Sequence, residues 1–150
     1  MKKRIFKFLI LSFMIFLLTA CAFFGTIRWN LNNQYNIDLP SPISEKLIFD
    51  IEFRDGQEFV VFKYDMKQKN EIIKEYNFKR ISSDNIDEIK KMAEEFYSIL
   101  DENKKRSFDD TVKKEDLIKY GNYYLIKYKP YDRFVILVFN DNYLYYCNKI

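Results

Sequence analysis

The sequence predicts an α+β domain: an antiparallel sheet of about five strands, in the order ββααβββ, with helices packed on one face. Three observations lead there. Two alternating apolar stretches flank Asp55-Gly56, one apolar stripe at helical spacing runs from Ile86 to Leu100, and three strand-like segments follow Gly121-Asn122.

In the first stretch, Leu47, Phe49, Ile51 and Phe53 alternate with Lys46, Asp50 and Glu52, as a strand with one buried face requires. Asp55-Gly56 suits the positive-φ positions of a type I′ turn. A two-residue loop there sets Arg54 against Gln57, Ile51 against Val60, Phe49 against Phe62 and Leu47 against Tyr64. The six apolar members of these pairs then share one side, and Lys63, Phe59 and Val61 fall on the other.

Glu71 to Lys74 predicts a short helix, and a longer one is predicted from about Asn85 to Lys104. Ile86, Ile89, Ala93, Phe96 and Leu100 form its stripe, which packs on the sheet or presents a partner-binding face. Asp84 is the expected cap, Asp87 and Glu88 occupy the first turn, and Lys104, Lys105 and Arg106 lie near the end. A charged connector from Ser107 to Tyr120 holds one further helical turn near Lys114 to Ile118. Tyr123 to Lys129 then alternates, and Phe134 to Phe139 is apolar on both faces, as in a central strand covered on two sides. Asn140-Asp141-Asn142 turns the chain into Tyr143 to Cys147.

The N-terminal part has a different character. Lys2, Lys3, Arg4 and Lys7 precede an apolar run from Phe8 to Leu18, the layout of an export signal. Leu18-Thr19-Ala20-Cys21 resembles the lipobox of bacterial lipoproteins, in which the cysteine thiol receives a diacylglycerol and the signal is cut before it. That resemblance covers the first 21 residues and implies lipid attachment at Cys21. A second reading stands beside it. The apolar stretch continues through Ala22-Phe23-Phe24 to Ile27, and twenty residues at about 1.5 Å each give roughly 30 Å, enough to cross a membrane as one helix. Trp29 would suit its interfacial end. In both readings the positive charges stay inside, so the domain lies on the extracytoplasmic side. The expected organisation is an anchor over 1–27, a polar tether over 28–44 rich in Asn, Ser and Pro, and the α+β domain over 45–150. This layout, with its Lys-, Ile-, Asn- and Tyr-rich composition, also resembles small exported proteins of low-GC Gram-positive bacteria.

Composition narrows the chemistry. The formal charge of +3 falls to about −1 without the four charges of the signal, so no basic block is left for nucleic acid. There is no histidine, which removes Ser-His and Cys-His pairs and most zinc patterns. Gly25, Gly56 and Gly121 stand too far apart to cradle a phosphate. Asp109-Asp110 and Glu94-Glu95 are neighbours whose side chains diverge, and Asn140-Asp141 lacks calcium-loop spacing. No catalytic residue, metal ligand or cofactor is therefore expected. Cys147 is read as a buried thiol or, second, as a site of intermolecular disulfide formation.

What stands out is aromatic: eight of the twelve tyrosines lie between Tyr120 and Tyr146. Tyr143 and Tyr145 share one face of their strand and are the candidate binding residues, because tyrosine gives large contact area at low entropic cost. The expected function is a membrane-anchored, non-catalytic module binding a protein or peptide. The alternatives are an accessory subunit of an envelope or transport complex and, third, a hydrolase of envelope polymers.

Overall fold

The computed structural model describes residues 27–28, 30–50 and 56–150. The expected export signal, the expected lipobox with Cys21, and the Ile51 and Asp55 positions of the expected hairpin lie outside the described residues. Two compact units divide the chain between Pro40 and Ser41.

In the first unit, residues 30–35 form a helix, α1, within the stretch read as a polar tether. Asn36 adopts a left-handed conformation (φ 55°) and its N–H donates to the Asn32 carbonyl at 2.9 Å, which ends the helix. Leu31, Ile37 and Leu39 are buried.

The second unit is α+β with one antiparallel sheet. Its elements are β1 (Ser44–Phe49), β2 (Gln57–Lys63), α2 (Met66–Glu75), β3 (Lys79–Arg80), α3 (Ile86–Ser98), α4 (Glu102–Asp109), α5 (Lys114–Leu117), β4 (Tyr123–Lys129), β5 (Arg133–Asn140) and β6 (Tyr143–Lys149). The sheet has six strands in the order β1-β2-β6-β5-β4-β3, one more than expected. The addition is β3, two exposed residues paired with Tyr123 and Tyr124, which carries no apolar alternation from which to read it. The last three strands match their expected positions. The turn at Asp141 uses a positive φ of 51°, which its short polar side chain tolerates.

The first hairpin is corrected. Leu47 faces Val60, not Tyr64, and Glu45 faces Phe62. A bulge between Leu47 and Phe49 then brings Phe49 opposite Phe59, on the other side of the sheet from Leu47. The bulge places Phe49 5.6 Å from the Phe59 ring and 6.5 Å from that of Phe96, so one edge strand feeds both faces.

The long helix is corrected too. It stops at Ser98, and α4 starts afresh after Asp101, whose side chain accepts from the Lys104 N–H at 2.8 Å. Lys104, Lys105 and Arg106 therefore belong to α4 and do not complement the C-terminus of α3. Asp84 does not cap α3. The residue before the helix is Asn85, and its Oδ1 accepts from the Ser82 N–H at 2.9 Å in the preceding turn.

Helices lie on both faces, not one. On the first, Ile89, Met92, Phe96 and Leu100, with Phe108 and Leu117, pack over Phe59, Ile136, Val138, Tyr145 and Cys147, and Ala93 lies beside Ile89 and Phe96. The apolar stripe is thus core. Phe108 sits 4.7 Å from Phe59, and removing such a buried ring costs about 3–5 kcal/mol. On the second face α2 places Lys69 Nζ 5.9 Å above the Phe139 ring, and Phe78, just beyond it, lies 5.5 Å from the same ring. Phe134 to Phe139 are all buried, so β5 needed cover on both sides.

Candidate functional site

The three strands β1, β2 and β6 bring two rows of side chains to the face that α3 and α4 pack on. Ser44 faces Lys63, which faces Tyr143; one step in, Lys46 faces Val61, which faces Tyr145. Strands about 4.8 Å apart and rows about 7 Å apart make this a patch one or two side chains across. Thr111, just beyond α4, closes it on one side. Its hydroxyl donates to the Ser107 carbonyl at 2.8 Å, which fixes its rotamer. Together these residues line a groove of about 290 Å³.

Within the groove the two tyrosines differ. Tyr145 is 9% exposed and stacks on Phe59 at 6.4 Å, so its ring belongs to the core and its edge to the groove. Tyr143 is 40% exposed, and Lys63 Nζ sits 5.7 Å from its ring centre. Burial, and then the charges of Tyr143, Asp116 and Asp141, raise the Tyr145 hydroxyl above its ordinary value. It therefore stays protonated at neutral pH and can donate a hydrogen bond. Among the described residues neither Lys46 nor Lys63 joins an ion pair, whereas the part-buried Lys104, Lys105 and Lys149 each meet a carboxylate within 4.0 Å.

Tyr143 and Tyr145, singled out in the sequence, thus come together on one groove. Lys46, Lys63, Ser44, Val61 and Thr111 were not anticipated. The first four depend on the strand register, and Thr111 comes from an element far away in the chain. Cys147 points under the helices beside Phe59 and Ile136, where burial alone pushes its thiol well above the ordinary value. One member of each acidic pair is engaged elsewhere: Glu95 pairs with Lys149 at 3.1 Å, and Asp109 accepts from the Tyr97 hydroxyl at 2.7 Å. Among the described residues no three Cys, Asp or Glu side chains are placed to share a metal ion.

Two other polar clusters occur. On the opposite face, Glu58 is buried and its Oε2 accepts from the Tyr146 hydroxyl at 2.7 Å and from Asn148 Nδ2 at 3.5 Å. Burial first, against those two hydrogen bonds, raises its carboxyl above the ordinary range. At the β3–β4 end, Glu88 accepts from the Tyr124 hydroxyl at 2.6 Å and from Lys79 Nζ at 3.3 Å, which lower its carboxyl. Each cluster satisfies its own donors, and the cavity beside Glu88 is only about 50 Å³.

The chain matches no known protein-family model, no curated protein and no solved structure.

Proposed function

We propose that the chain is a non-catalytic binding module, held at a membrane on the extracytoplasmic side, which takes a segment of a protein or peptide partner in the Tyr143–Tyr145 groove. The groove carries the reading: a concave, mostly apolar surface with convergent hydroxyl and ammonium groups, lined by no carboxylate. A hydrolase of the kind considered above would need two carboxyl groups across a cleft. The anchor rests on the N-terminal pattern of positive charge, apolar run and Leu18-Thr19-Ala20-Cys21, which supports membrane attachment by lipid or by a spanning helix.

The partner test uses full-length protein in detergent, with wild type compared against a Tyr143→Ala, Tyr145→Phe variant. Phenylalanine at 145 keeps the ring stacked on Phe59, so the fold survives while the hydroxyl is lost. Partners recovered by wild type and lost from the variant support the groove; equal recovery overturns it. Intact mass of the membrane form tests the anchor, since a lipidated chain starting at Cys21 and an unmodified full-length chain differ by far more than the measurement error.

A further inference from the structure

Resting on that reading of the groove, we infer that it selects an acidic side chain, an aspartate or glutamate carboxylate presented by the partner polypeptide. Lys46 faces Val61, and Lys63 lies two residues further along the same strand, so the two lysines are diagonal neighbours on one face. Diagonal positions in an antiparallel pair are about 7–8 Å apart, a spacing at which one carboxylate sits within reach of both ammonium groups. Like charges so placed repel, and among the described residues no carboxylate of the chain pairs with either. A bound anion removes that repulsion.

The rest of the lining specifies what carries the charge. Val61 and the faces of Tyr143 and Tyr145 make an apolar floor that suits the methylenes of an acidic side chain. The Tyr145 hydroxyl, held protonated, and the Ser44 hydroxyl at the rim supply donors to its oxygens. The volume of about 290 Å³ takes one or two side chains, below the size of most cofactor pockets. Phosphate is disfavoured. The lining has no arginine fork, no glycine-rich backbone and no helix N-terminus. The helix end that closes the groove is the C-terminus of α4, which brings about half a negative charge. The two lysines outweigh that half charge, so an anion is still drawn in.

Full-length protein in detergent is immobilised and challenged with two pools of randomised octapeptides. One pool carries Asp and Glu at fixed positions, and the other carries Asn and Gln there. The expected result is about tenfold greater retention of the acidic pool, the scale of one charge-assisted hydrogen bond. That preference should fall away in a Lys46→Gln, Lys63→Gln variant, which alters exposed ends of side chains and leaves the core untouched, and it should weaken with salt. Equal retention of both pools by wild type, lost in the Tyr143→Ala, Tyr145→Phe variant, overturns the acidic preference and leaves the groove reading standing. Retention of neither pool above the variants overturns both. Displacement of the acidic pool by inorganic phosphate at concentrations where acetate has no effect assigns the groove to phosphate and overturns the carboxylate.

Discussion

The Tyr146 hydroxyl donates to Glu58 Oε2 at 2.7 Å across the β2–β6 pair, with Tyr146 diagonal to Glu58 and Asn148 directly opposite it. A carboxyl on a sheet face crowded with Val60, Phe62 and Leu144 is costly to ionise, and two donors offset only part of that cost.

Stability should therefore depend on pH through Glu58. Its folded value is raised from 4.5, so the contribution is complete below that pH and is lost as pH rises through the folded value. Glu58→Gln removes this slope: thermal melts of wild type lose stability across that window relative to the variant, and the two curves run parallel elsewhere. Tyr146→Phe takes away the shorter donor and should cost about 1–3 kcal/mol at neutral pH, read by urea denaturation.

The break between α3 and α4 makes a paired prediction. Asp101→Ala removes the cap at the Lys104 N–H and should cost about 1 kcal/mol. Asp84→Ala, at the position the sequence favours as a cap, should stay within about 0.5 kcal/mol of wild type, because among the described residues Asp84 meets only the neighbouring Ser83 hydroxyl. Denaturant midpoints of the two variants would show the order reversed if one continuous helix ran from Asn85 to Lys104.

At the tip of the β4–β5 hairpin, Tyr131 and Asp132 hold φ of 67° and 55°. Two successive left-handed residues are a conformation that Asn and Gly adopt readily and a tyrosine does not. Tyr131 is 91% exposed, so replacement loses no packing. Tyr131→Asn with Asp132→Gly should stabilise by about 1 kcal/mol, visible as a higher melting temperature. A fall in melting temperature would mean that the turn is held by something other than its backbone preference.

Cys147 should be inert. Its thiol is buried among Ile89, Phe96, Phe108, Ile136 and Val138, with a residual void of only about 10 Å³, too little for a reagent. In a Cys21→Ser background the native protein should resist a thiol reagent until denaturant is added. Rapid labelling without denaturant would contradict this packing.

Periodicity carried much of this fold, and its failures have physical reasons. The expected register of the first hairpin set Leu47 against Tyr64, while the structure sets it against Val60, a shift of four residues. An even shift keeps every side chain before the bulge on its own face, so the hydrophobic pattern cannot distinguish the two; only the turn can. The shift decides the groove: in the expected pairing Lys63 would have met Ile48 and Lys46 would have met Asp65. The helix break escaped for a similar reason, since Leu100 continues the apolar stripe beyond Ser98, and only Asp101 as a cap marks the restart. Tyr143 and Tyr145 were legible because both lie on one regular strand. The double covering of the sheet was also written in Phe134 to Phe139, whose two apolar faces leave no room for a bare side.

The position of β6 between β2 and β5 bears on how the protein comes into being. Phe59 meets Cys147 and Val60 meets Tyr146, so β2 emerges from the ribosome more than eighty residues ahead of the strand that completes it. Closing so long a loop is entropically slow, and until then β2 has only β1 beside it and its other edge stays open to aggregation. The sheet is accordingly completed only when its last strand arrives, because β6 alone joins β2 to β5.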